Sequence, residues 1–185
     1  MIIEENNNES VKSLLNILKG PSIPNTHFSN KITFFALTIM RALMHYSALP
    51  KILFMEDHAA ISAVLNVLKQ TDLTEQTELC IYSFVTSLIK DEQDYKRIIG
   101  KKLLPICHAK LQIQTGREVL NSNCEQKFFK MLAILLKRCN ENINMMKGDM
   151  KDRMFRYRNM ATKDQWVRNK IDHILHLVDN FIEDN

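Results

Sequence analysis

The sequence predicts an all-α fold, and three observations carry that prediction. The 185 residues include only four glycines and four prolines, about half the usual share of each. Apolar residues recur at helical spacing between recognisable start and stop signals. A leucine-led string also returns at nearly constant intervals. Scarce turn residues exclude an all-β chain, which needs a turn signal about every ten residues. No two glycines lie close enough to form the phosphate cradle of a Rossmann or P-loop domain. The 45% hydrophobic and 25% charged content is that of a globular chain, long enough to bury a core without disulfides or metal.

The elements follow in order. Residues 1–8 are acidic and polar and are expected to be disordered. SVKSLLNILK (10–19) carries an apolar stripe, with Ser10 as cap and Gly20-Pro21 as stop. Residues 20–29 form the one breaker-rich loop, and a long helix covers about 30–47 with Phe34, Leu37, Met40 or Arg41, and Met44 on one stripe. Pro50 opens the short helix PKILFME, and Asp57 caps a helix to about Gln70. Asp72 and Glu75 form a capping box before a helix to about Lys90. A short helix over 92–99 stops at Gly100, and 101–113 follows with Pro105 near its first turn. Ser122 and Glu125 make a second box, opening a helix to about Cys139. Residues 141–147 are short again and end at Gly148, and 149–160 follows. Thr162 and Gln165 make a third box before a last helix over 163–182.

Helix lengths thus recur as short, medium, long. LMHYSALPKILF aligns with LIKDEQDYKRII and LLKRCNENINMM, whose leading residues Leu43, Leu88 and Leu135 stand 45 and 47 apart. SVKSLLNILK is echoed by AISAVLNVLK. Such a period suits helical repeats of about 40–47 residues. A single triplet cannot bury its apolar faces alone, so neighbours stack. Chance recurrence in an irregular helical bundle is the alternative.

The repeated unit resembles the armadillo-repeat family, whose units hold a short first, a second and a long third helix. The resemblance implies one domain over residues 1–185, a right-handed α-solenoid of three-helix repeats at about 10–47, 49–90, 92–139 and 141–182, the first lacking its short helix. In that family the third helices line a concave groove. An Asn near their end, in a pattern like A-L-x-N-L, grips an extended partner. The matching strings ALMHY, SLIKD, ILLKR and HLVDN place His45, Lys90, Lys137 and Asp179 at that position. None is Asn, and Trp166 is the only tryptophan. This departs from the Asn and Trp ladder of nuclear-import receptors.

Charge singles out two candidate sites. His45, Lys90 and Lys137, with Arg41, Lys130 and Arg138 nearby in sequence, would make the implied groove basic and suited to an acidic or phosphorylated segment. The same residues also suit helix C-termini, where cations satisfy the dipole and the last carbonyls. Residues 147–170 carry eight Lys or Arg against three Asp, within a net charge of +4. There Lys151, Arg153, Arg156 and Arg158, with Arg168 and Lys170, interleave with Phe155, Tyr157 and Trp166. Cations with aromatics suit phosphate contact and base stacking, or equally a solvated helix face beside a core face.

Chemistry has little support. No GxSxG, HExxH or P-loop string occurs, and Cys107 and His108, adjacent on a helix, point apart. His173 and His176 lie i,i+3 with Asp172 and Asp179 close by, too few ligands for a metal. Neither cofactor nor metal is expected. Cys80, Cys107, Cys124 and Cys139 lack CxxC spacing and read as reduced thiols in or near the core. The acidic start is unlike a signal peptide, and ITFFALTIM (32–40) is too short to span a bilayer. The expectation is a non-enzymatic protein-binding scaffold, cytoplasmic or nuclear and not secreted. The alternative is a nucleic-acid-binding helical repeat using 147–170.

Overall fold

The computed structural model describes residues 2–20, 26–70, 72–111, 122–160 and 164–181. Among the described residues are ten helices and no strand. Two compact units emerge, Met1–Ser87 and Leu88–Asn185. Their border falls between Ser87 and Leu88.

The first unit holds α1 (Ile2–Lys19), α2 (Thr26–Met44), α3 (Leu49–Glu56), α4 (His58–Val67) and most of α5 (Glu75–Ile89). Helix α1 packs on α2, α3 and α4. Phe54 and Phe84 meet edge to face at 4.8 Å in the core, beside buried Leu37, Met40, Ile61 and Tyr82. Asp57 caps α4 as expected, its Oδ1 accepting from the amides of Ala59 (3.1 Å) and Ala60 (2.9 Å).

Three expectations change here. Helix α1 starts at Ile2, in place of a disordered 1–8, because extending an existing helix costs far less than nucleating one. Helix α2 starts at Thr26, inside the expected loop over 20–29. The cap of α5 is Thr74, whose hydroxyl accepts from the Thr77 amide at 3.3 Å, so the Asp72–Glu75 box shifts by two residues. The proposed stop at Pro21 lies outside the described residues.

The second unit holds α6 (Gln93–Lys110), α7 (Ser122–Leu136), α8 (Asn140–Met146), α9 (Asp149–Met160) and α10 (Gln165–Asp179). Helix α10 packs on α7 and α9, and α6 packs on α8. Phe128, Phe129 and Tyr157 stack in the core, with centroids 5.0 and 5.4 Å apart. Asp164 caps α10 through the amides of Trp166 (2.8 Å) and Val167 (3.3 Å); the expected cap at Thr162 lies outside the described residues.

The largest correction is α6. The two helices expected over 92–99 and 101–113 are one helix that runs through both Gly100 and Pro105. The reason lies on α8. Asn142 is fully buried against Gly100, and a Cβ at that glycine would stand 2.0 Å from Asn142 Oδ1. Asn142 Nδ2 donates to the carbonyls of Lys96 (2.9 Å) and Leu135 (3.0 Å). Gly100 therefore marks a close approach of α8 to α6, not a helix stop.

The same clasp closes the end of α7, whose last carbonyls lack helical partners. Asn142 takes the carbonyl of Leu135, the Cys139 amide takes that of Leu136 (3.1 Å), and the buried Lys96 ammonium takes that of Lys137 (2.9 Å). A cation at a helix C-terminus is favoured there by the dipole. Burial nevertheless pulls the Lys96 pKa below the usual lysine value, with nearby Cys139 opposing.

Arg138 turns the chain out of α7 with φ of 59°, a left-handed conformation that disfavours a Cβ. Arg138→Gly is therefore expected to raise the stability by about 0.5–1 kcal/mol, read as a higher midpoint in urea unfolding.

Candidate functional site

The expected site residues separate into three groups with different surroundings. Arg41 lies in the last turn of the first unit's α2 and is half-buried beside the Cys80 thiol, with Nε buried and unpaired among the described residues. Its guanidinium is not an open surface cation. His45 is exposed just past the end of α2.

The second group lies on or beside α7. Lys130, Lys137 and Arg138 are exposed. Lys127 and the half-buried Ile134 lie on the same face, at i−3 and i+4 from Lys130. None of the four cations' side chains makes an ion pair or hydrogen bond among the described residues. The one acid of α7, Glu125, is buried and accepts from the Tyr157 hydroxyl at 2.8 Å. Four positive charges, Lys127 and Lys130 on α7 and Lys137 and Arg138 just past its end, are therefore unneutralised among the described residues, with an apolar step at Ile134. Lys90, also in the second unit, is exposed just after α5. Lys127 and Ile134 escape a reading confined to helix ends, but continuing the helical stripe outward from Lys130 finds both.

The third group, on α9, is largely neutralised. Lys151 pairs with Asp179. Arg153 Nε donates to Asp149 Oδ2 at 2.8 Å, and His108 Nε2 is 2.7 Å from the same oxygen. Arg158 engages both carboxylate oxygens of Asp172, one of them at 2.8 Å. Lys170 lies over the Trp166 ring at 5.3 Å, which occupies one of the aromatics expected to stack on bases. Arg156 is exposed. Met150, Met154 and Tyr157 are buried at helical spacing, so this segment has a core face beside a charged one.

The paired arginine has a measurable consequence. Hydrogen bonding by Arg158 holds the Asp172 carboxyl below its ordinary value of 3.8. A carboxyl whose pKa is lower in the folded than in the unfolded state stabilises above its unfolded pKa and loses that effect as pH falls through the folded value. Asp172→Asn is therefore expected to lower the urea midpoint at neutral pH, and the difference from wild type is expected to shrink as pH falls below the ordinary carboxyl value of 3.8.

All four cysteines are buried free thiols, and burial pushes Cys107 up to about 12. Burial therefore disfavours a thiolate at Cys107 near neutral pH. Among the described residues, no three His, Cys, Asp or Glu side chains gather where they could hold a metal ion, and no helix is long and apolar enough to cross a membrane. No family model matches the chain, and no curated protein or solved structure matches it.

Proposed function

We propose that this chain is a non-enzymatic helical scaffold that binds an acidic, extended protein segment along the cationic ridge of α7. Its helical triplets stack in the manner of a right-handed armadillo-like α-solenoid, and it works in the cytoplasm or nucleus. The observation that carries the reading is the contrast between two basic surfaces. Lys127 and Lys130 on α7, and Lys137 and Arg138 just past its end, have no side-chain partners among the described residues, whereas Lys151, Arg153 and Arg158 are paired with Asp179, Asp149 and Asp172. Unpaired cations are available to a ligand at once, whereas paired ones must first break a contact. An acidic segment would be steered by the ridge's field and held by charge-assisted hydrogen bonds. The free thiols suit a reducing compartment.

The test is fluorescence anisotropy with a labelled Asp- and Glu-rich peptide, beside a single-stranded DNA probe of similar charge. Lys130→Glu with Lys137→Glu is expected to weaken peptide binding at least about tenfold and to leave the melting temperature nearly unchanged. Arg156→Glu is expected to change it little. Unchanged peptide binding in the double variant, or tight DNA binding lost with Arg156→Glu, would overturn the proposal.

A further inference from the structure

We infer that the groove between α1 and α2 of the first unit docks a second copy of this chain about a two-fold axis. The groove is open, has a volume of ≈ 660 Å³, on the scale of ligand pockets, and is lined by Glu9, Ser10, Ser13, Leu14, Ile17, Ile39 and Leu43. Its apolar residues are unusually open to solvent. Ile17 is 51% exposed and Ile39 48%, and Phe35, one turn before Ile39 on α2, is 61% exposed. Large apolar side chains clustered in this way mark an interaction surface.

The charges at the two ends indicate the occupant. Only residues 20–25 separate the α1 end at Lys19 from the α2 start at Thr26, and the two helices pack together, so they run antiparallel. Glu9, towards the start of α1, therefore lies at the Leu43 end of the groove. Lys31, one turn before Phe35 on the same stripe, lies at the other end. Both residues are exposed, and neither makes an ion pair or hydrogen bond among the described residues. A surface with an unpaired anion at one end and an unpaired cation at the other is self-complementary. A two-fold axis across the groove sets each Glu9 against the partner's Lys31 and pairs both charges in a single arrangement. The small Ser10 and Ser13 leave room for the partner's Phe35. This surface involves neither α7 nor its ridge, so it stands apart from the peptide-binding proposal.

Sedimentation velocity of the full chain over a wide concentration range tests the inference. The wild type is expected to dimerise. Phe35→Asp is expected to give a monomer with unchanged helical circular dichroism and melting temperature at low concentration, because the side chain is exposed. Glu9→Lys and Lys31→Glu are each expected to weaken the dimer about tenfold, and the double swap to recover it. A wild type that stays monomeric, a dimer indifferent to Phe35→Asp, or a double swap no better than the single variants would overturn it.

Discussion

Gly100→Ala is expected to destabilise the second unit by about 3 kcal/mol or more, although alanine is the better helix former. Two effects compete. Propensity alone favours the substitution by about 1 kcal/mol in a helix interior. Against it, the new Cβ would lie 2.0 Å from Asn142 Oδ1 and 2.5 Å from its Cγ and Nδ2. Asn142 is fully buried and cannot swing into solvent. Displacing it breaks its bonds to the carbonyls of Lys96 and Leu135. Each buried group left unpaired costs about 1–3 kcal/mol, so the loss exceeds the gain. The expected reading is a urea midpoint well below wild type with an unchanged slope. Asn142→Ala removes the obstruction, so adding it to Gly100→Ala is expected to cost much less than the sum of the two single effects. Additive costs would mean that Gly100 and Asn142 do not meet.

Tyr157→Phe is expected to cost about 2–3 kcal/mol, a large effect for the loss of one oxygen. The ring itself is retained, so its packing against Phe129 at 5.4 Å survives. What disappears is the hydroxyl that donates to Glu125 Oε1 at 2.8 Å. Both residues are buried, so water is not at hand to replace the donor. Hydrogen bonds to charged groups are worth more than neutral ones, and a stranded buried carboxylate adds its own desolvation cost. Glu125→Gln keeps an acceptor without the charge and is expected to cost less than Tyr157→Phe. Thermal unfolding of the two variants side by side checks the order, and the reverse order would show that the carboxylate is satisfied by other groups.

The elements that were legible in the sequence are those whose cause is local. Asp57 could be read as a cap because its carboxylate acts on amides two and three residues on. Pro50 announced α3 for the same reason, since its ring suits the first helical turn. The short, medium, long order is present in α3 to α5 and again in α8 to α10. Gly100 was misleading because the group that demands a glycine there, Asn142, comes from another helix. No local signal distinguishes a glycine that ends a helix from one that admits a neighbour. The candidate site divides in the same way. Lys130 and Lys137 follow from helical spacing, and Arg138 from its place at the helix end. The neutralisation of Lys151 and Arg158 does not, because their partners Asp179 and Asp172 reach them from α10. A count of basic residues over 147–170 registers the cations and misses the acids that come from elsewhere in the chain.

The central claim is that an acidic segment lies along α7. It is tested most directly by amide chemical-shift mapping of the isotopically labelled full chain during titration with an Asp- and Glu-rich peptide. Saturable shifts are expected to concentrate at Lys127, Lys130, Ile134, Lys137 and Arg138 and to be lost together in the Lys130→Glu, Lys137→Glu variant. Shifts confined to Arg156 and its neighbours on α9, or none at saturating peptide, would contradict it.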